Sequence, residues 1–325
     1  MNHDEAQIRS TNRESVCGDR YVGTTTETAI NMSKPPKARQ SARISVYEWP
    51  AAQRSVRSLR AMISDIFEGR GFDLQQSESE ARRFGFSVVR ATVPLNDTVS
   101  DEDVAVVVQA ARSELVIVRF DERRKELGRL LQEIGDAECI HADMLVYYVW
   151  NLYRLGRLTP RPSSLKISQS TSFADVVGVL RESFKDYRNH YSANPRLATS
   201  VTVAAYEDWA KGLMQSDTSR AFVARQPSNG EVVGFVLLTL AQDERLAEVA
   251  LNAVHPNAQR GGVYSALMLA AAEYLVALGS VERLFISTQR ENQAVIAAWQ
   301  KLGLEPFLTL ETYHVMRHNA VSRSR

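Results

Sequence analysis

The chain has 325 residues, 39 Lys+Arg against 38 Asp+Glu, a formal net charge of +1 and 44% hydrophobic residues. That length suits about two domains of ordinary globular composition. Near-neutral charge excludes a general nucleic-acid or membrane-surface binder, which would carry a basic excess, and no apolar run approaches the roughly 18 residues that span a bilayer. Two cysteines, Cys17 and Cys139, exclude a disulfide framework or a four-cysteine zinc site, so the expectation is a cytoplasmic protein in a reducing compartment.

Residues 1–43 hold few large apolar side chains, many Ser, Thr and Asn, and a Lys-Pro-Pro-Lys stretch. Such a segment cannot bury enough surface to offset its ordering entropy, and a disordered tail is expected. It has no apolar h-region near Met1, so no secretory signal is expected. Val56, Leu59, Met62, Ile63 and Ile66 fall at helical spacing over 53–67. Phe86–Val93 has strand character, Asp101–Arg112 opens acidic as helices do, and Glu114–Phe120 is a strong buried strand. Arg123–Ile134 is an amphipathic helix stopped by Gly135, and Met144–Trp150 is another β-rich run. The alternation predicts a small α/β domain over 44–153.

Residues 154–165 carry two prolines and a glycine, a linker composition, and the pattern restarts over 166–318, leaving a short tail at 319–325. Helices are expected at Phe173–Phe184 and Tyr206–Met214. Strands follow at Ala221–Arg225 and Val232–Thr239, joined by a turn containing Asn229-Gly230, a strong hairpin signal. Val249–Val254 is a strand, Val263–Leu278 an alanine-rich helix closed by Gly279, Leu284–Ser287 a strand, Ala294–Leu302 a helix closed by Gly303, and Thr312–Met316 a last strand.

The informative segment is 248–278. A strand ends at His255-Pro256, and the loop Asn257-Ala-Gln259-Arg260-Gly261-Gly262 opens the long helix at Val263. Glycines there let backbone N–H groups approach a ligand, and the helix N-terminus adds unpaired donors with a partial positive charge. Together they make an anion site suited to a pyrophosphate, although an ordinary tight turn has the same local sequence.

The run Val254-His-Pro256-Asn-Ala-Gln259-Arg260-Gly261-Gly262-Val263-Tyr264 resembles the acetyl-CoA motif of the GNAT N-acyltransferases, Gln/Arg-x-x-Gly-x-Gly/Ala after Val-x-Pro. Asn292-Gln-Ala-Val295, Trp299 and Lys301-Leu-Gly303-Leu are similar to that family's later element. The likeness implies a GNAT acyltransferase fold, a mixed α/β sheet, over about 166–318. Residues 84–150 resemble the N-terminal partial GNAT-like domain of the nucleotide amino-sugar acetyltransferases of the dTDP-fucosamine type. Residues 183–195 resemble their substrate-side region.

The resemblance implies acetyl-CoA as acyl-donor cosubstrate, no metal, and transfer to a primary amine, with a nucleotide-linked amino sugar as the first acceptor class. Expected partners are the CoA thioester and a small-molecule amine; a homodimer is left open. It assigns CoA contacts to Ala253, Val254, Gln259, Arg260, Gly261, Gly262, Val263, Tyr264, Asn292 and Trp299. The N–H of Leu251 or Asn252 would polarise the thioester carbonyl. An acceptor amine must lose a proton: Glu248 is the first candidate base, and His190 and Tyr191 are substrate-side alternatives. Asp186 and Glu207 read as solvated helix faces. The family's thiolate acid is a tyrosine seven residues after the motif asparagine, and Trp299 stands there, which cannot serve. Tyr264, Tyr313 or His314 could replace it, the thiolate could leave unaided, or Trp299 is core packing. Two rival readings are the same enzyme class with another small-molecule or protein amine, and a CoA-binding sensor or scaffold without catalysis. Neither HxH nor HExxH occurs among the six histidines, and Gly-x-Ser-x-Gly is absent.

Overall fold

The computed structural model describes residues 72, 74–95, 99–154, 164–197, 202–241 and 245–318. The expected tails, the 53–67 helix and most of the 154–165 linker lie outside the described residues. The elements in chain order are β1 Gln75–Gln76, α1 Glu78–Phe84, β2 Val88–Thr92, α2 Asp101–Ala110, β3 Leu115–Asp121, α3 Lys125–Gln132, β4 Ala137–Asn151, β5 Lys166–Gln169, α4 Phe173–Phe184, α5 Thr202–Met214, β6 Ser219–Arg225, β7 Val232–Ala241, β8 Leu246–Val254, α6 Val263–Leu278, β9 Arg283–Gln289, α7 Gln293–Leu302 and β10 Glu305–Arg317. A 3-10 turn at His190–Ala193 follows α4.

All ten strands join one mixed sheet, in the order β1-β2-β3-β10-β4-β9-β8-β7-β6-β5. The fold class is therefore the mixed α/β arrangement the sequence implies. Within it the series β2-α2-β3-α3-β4 and β8-α6-β9-α7-β10 repeat one another. Each begins with a parallel pair, β2 with β3 and β8 with β9, bridged by a helix as parallel strands require. Each series then gives its last strand to the other. β10 pairs antiparallel with β3, β4 pairs antiparallel with β9, and β4 and β10 pair with each other at the centre. The residues on either side of the expected linker thus share one sheet.

One face packs against α2, α3, α6 and α7. Its core runs from Phe120, Leu127 and Val118 to Leu267, Met268, Leu275 and Trp299, all fully buried. On the other face, α4 and α5 cover Phe235, Leu237, Leu251 and Ala253. The 3-10 turn and α1 lie near Val88, Leu115 and Ile117. Between these two covers the sheet's centre stays open, and that gap is the cleft.

Three elements escaped the sequence reading: β1, α1 and β5. Ser77-x-x-Glu80 has the spacing of a capping box, yet Ser77 makes no side-chain cap bond and Glu80 turns to Arg90 instead. β4 starts seven residues earlier than expected. Its polar start, Cys139-Ile-His141-Ala-Asp143, is drawn into the sheet by pairing with β10 at Thr312↔Asp143 and Tyr313↔His141.

Candidate active site

The site begins at a break in the sheet. β8 pairs with β9 only from Leu246↔Arg283 to Val249↔Ile286, while β8 continues to Val254 and β9 to Gln289. On its other edge β8 stays paired with β7 as far as Val254↔Gly234. One residue, Ala250, bulges out of that pairing between Leu237↔Leu251 and Leu238↔Val249, and bulges of this kind re-aim a strand. Beyond Val249 the two parallel strands have parted and left a wedge.

Strand parity decides which groups face the wedge. His255 donates its N–H to the Val233 carbonyl on the β7 side. Backbone groups alternate along a strand, so Asn252 and Val254 direct theirs away from β7 into the wedge. Of the two expected donors, Leu251 and Asn252, it is therefore Asn252 whose N–H faces the wedge. The Val254 carbonyl also points there and accepts from Ser183 Oγ at 3.2 Å and Gln259 Nε2 at 3.4 Å. Ala253 directs its backbone at Phe235 on β7 and lines the cleft otherwise.

The loop after β8 keeps its expected form. Pro256–Ala258 is a 3-10 turn, Arg260 adopts φ 64° and Gly262 φ 79°. Left-handed backbone is unfavourable for arginine, and such strain gathers where a ligand is held. Gly262 is the N-cap of α6 with no side-chain cap, so no cap side chain occupies the first N–H groups of this 16-residue helix, which suit an anion. A Cβ at Gly262 would meet nothing within 4 Å. Gln259, Arg260 and Gly261 are exposed around it, whereas Val263 is buried in the core and anchors the helix.

Trp299 and Tyr264 meet next to this loop. The Trp299 indole N–H donates to the Tyr264 hydroxyl at 2.6 Å. Trp299 is wholly buried, Tyr264 is half-buried, and both line the cleft. Because the phenol oxygen accepts from the indole, the phenol keeps its own proton to donate elsewhere. Burial raises the Tyr264 pKa, with the indole bond opposing. Asn292 lies just before α7 and donates to Thr288 Oγ1 at 3.1 Å. The other expected acids are elsewhere. Tyr313 packs against Phe120 on the opposite face, and His314 is wholly buried.

Glu248, at the closed end of the wedge, is half-buried and lines the cleft. Burial pushes its carboxyl up to about 7, which suits a base working near neutrality. His190 is not the exposed surface histidine its polar neighbourhood suggests. It is buried, with Nδ1 2.9 Å from His314 Nε2 and Nε2 3.5 Å from Arg90. Burial first, and then the charges of Arg119 and Arg90, lower its pKa well below the ordinary histidine value, making it a poor base. Tyr191 accepts from Arg90 at 2.7 Å and donates to Glu80. Asp186 is exposed in the turn after α4; Glu207 is paired with Arg181 at 2.8 Å, as expected of a helix face.

Several cleft residues were not anticipated. Arg90 on β2 pairs with the buried Glu80. Burial alone would raise the Glu80 carboxyl, but Arg90, aided by Ser77 and Tyr191, holds it down at about 2. Arg119 on β3 and Tyr147 on β4 also line the cleft, which encloses about 1890 Å³. These residues lie 100 or more positions from the loop, and only the strand exchange brings them to it. Among the described residues no group of three or more His, Cys, Asp or Glu is placed to hold a metal ion, and no helix is long and apolar enough to cross a membrane.

No curated protein matches the chain significantly. Among solved structures the chain is similar to a tandem GNAT protein from the clavulanic acid biosynthesis pathway, at 13% identity, covering 70% of this chain and 77% of that one with a TM-score of 0.48. It is also similar to a GCN5-related N-acetyltransferase from Kribbella flavida, at 14% identity, covering 71% and 81% with a TM-score of 0.46. A third likeness is to AAC(6')-Iy in complex with a bisubstrate analogue, at 19% identity, covering 44% and 92% with a TM-score of 0.34. Residues 180–304, which hold the wedge, the loop and α6, match the model of the acetyltransferase (GNAT) family.

Proposed function

We propose that this protein transfers an acetyl group from acetyl-CoA to a primary amine. The observation that carries the reading is the wedge between β8 and β9, with a backbone N–H facing it, a half-buried carboxyl and a glycine-opened helix end arranged around it. The residues fit the donor. The free N–H groups at the start of α6, with the exposed Gln259, Arg260 and Gly261, suit a pyrophosphate. The unpaired edge of β8 from Ala250 to Val254 offers alternate peptide groups to a pantetheine-like chain.

The chain's own residues then divide the work. The Asn252 N–H stabilises charge on the thioester oxygen. Glu248 takes a proton from the acceptor ammonium, directly or through water, so that the neutral amine attacks. As the C–S bond breaks the nitrogen sheds its second proton to water, and Tyr264, its hydroxyl fixed by Trp299, gives its proton to the departing thiolate and regains one from water. The tryptophan at the expected acid position thus acts as a positioning residue, and it is core packing as well. His190 and Tyr191, expected to touch substrate, bound the cleft while tied to Arg90 and Glu80. The nucleotide-linked amino sugar implied by the sequence resemblance is the acceptor class to test first.

Thiol release from acetyl-CoA, with mass detection of the acetylated product over amino sugars, small amines and peptide amines, tests this. Turnover with at least one amine is expected. CoA binding with no thiol release for any amine would favour the sensor reading instead.

A further inference from the structure

The cleft runs past the wedge onto the half of the sheet built from β2, β3 and β10. Arg90, Thr92 and Arg119 line that end. The two arginines differ. Arg90 is occupied by Glu80 and Tyr191. Arg119 is half-buried and makes one hydrogen bond among the described residues, from Nε to Thr312 Oγ1 at 3.2 Å. Its two terminal guanidinium nitrogens have no carboxylate partner among those residues. Asp143, one strand beyond Thr312 in the same row, is buried, and among the described residues neither of its oxygens bonds to Arg119 or any other group.

A half-buried guanidinium without an acid is costly to keep. Its planar fork suits a carboxylate or phosphate held by two parallel bonds. Tyr147 locates this charge relative to the chemistry. Burial pushes its phenol up to about 12, with Arg119 opposing and Glu248 adding to the rise. Its strand, β4, lies between β3 and β8 in the sheet, and Arg119, Tyr147 and Glu248 all line the same cleft. The cleft floor thus carries a carboxyl at the wedge, a phenol between, and a cation at the far end.

We propose that Arg119 is the anion-recognising residue of the acceptor site, so that the acceptor is an amine carrying a carboxylate or phosphate several bonds away from the reacting nitrogen. This rests on the acceptor-amine reading of the cleft. It gives the N-terminal series a task as well: β3 supplies the contact that selects the acceptor. That series does not repeat the CoA site. Its β2-to-β3 pairing shows no wedge, and its α2 opens with Asp101, Glu102 and Asp103 under a Ser100 cap, which repels a pyrophosphate.

The test titrates the full-length, CoA-loaded protein calorimetrically with ω-amino carboxylates from 4-aminobutanoate to 8-aminooctanoate, the matching ω-aminoalkyl phosphates, and ω-amino alcohols of equal length. Thiol release from acetyl-CoA is followed in parallel. At one or more lengths the anionic amine is expected to bind at least about tenfold more tightly than the alcohol. Arg119→Gln removes that preference, Arg119→Lys keeps part of it, and Arg129→Gln, which deletes an exposed charge on the opposite face, leaves it unchanged. Whether carboxylate or phosphate binds better identifies the anion. Equal binding of anionic and neutral amines, or a preference that survives Arg119→Gln, overturns the proposal. Selective binding with no turnover of any amine overturns acetyl transfer and leaves the anion site standing.

Discussion

Glu248 carries the sharpest consequence at the scale of one residue. Its carboxyl titrates at about 7 because burial disfavours the charged form. In the proposed role of base it must be ionised, so kcat/KM should rise with pH and level off above about 7. Glu248→Gln should lose that inflection and about 10²–10⁴-fold in rate, as removal of a general base does, with CoA affinity unchanged. The same shift has a stability sign. A carboxyl whose pKa is raised on folding stabilises the fold below its unfolded value of about 4.5, and that contribution is lost as pH rises through about 7. Glu248→Gln should therefore be more stable than the parent at pH 8, by about 1–2 kcal/mol after allowing for solvent access through the cleft, with the gap narrowed to a fraction of that at pH 5. A pH-rate profile and melting curves at the two pH values decide both; an unchanged profile removes Glu248 from the mechanism.

At the same scale, sequence legibility depends on how far away a residue's partners lie. The placement of Gly262, Gln259 and Asn252 around one loop was readable because it follows from a local strand-loop-helix pattern. Tyr264 was one open alternative among several, and the Trp299 indole 35 positions away is what orients it. The burial of His190 was not legible, because its polar neighbours in sequence are not its neighbours in space. Its partner is His314, 124 positions away. Burial and the nearby arginines keep both histidines neutral at pH 7, with His314 lowered to about 3. Arg90 and Arg119 carry no local signal at all. A strand arginine resembles any solvent-facing one until topology closes a cleft over it.

At the scale of elements, the functional segment is a strand that stops pairing and a helix that starts on glycine. The N-terminus of α6 depends on Gly262 adopting φ 79°, which a side chain tolerates at a cost of about 1 kcal/mol. Open space around the missing Cβ means that a substitution there is no packing problem. Gly262→Ala and Gly262→Glu therefore share one backbone penalty and differ in charge. The alanine variant should bind CoA a few-fold more weakly. The glutamate variant should lose CoA by about 100-fold or more, since a carboxylate would occupy the positive end of the helix. Circular dichroism should show both folded. Equal affinities for the two, measured by calorimetry, would place the pyrophosphate elsewhere.

The two long central strands set the scale of the whole molecule. β4 is the last strand of the first series, yet seven of its residues, Leu145 to Asn151, pair with β9 of the second. β10 returns the exchange by pairing with β3 along Leu310 to Met316. Composition gave two units and a linker, and alternation gave the helices and strands of each. Neither could reveal the exchange, because pairing partners separated by more than 130 residues leave no periodic trace. The consequence is mutual dependence. Residues 164–325 alone would leave β9 without its β4 edge and strip β10 of both neighbours, exposing long apolar strand edges that aggregate or pair with another copy. That fragment should be insoluble or oligomeric, and co-expression with residues 1–154 should restore a soluble 1:1 complex that binds CoA. Size-exclusion chromatography with light scattering reads the outcome. A monomeric, CoA-binding 164–325 fragment would mean that the exchanged strands are dispensable, and that the cleft's Arg119 end is an addition to a self-sufficient acetyltransferase unit.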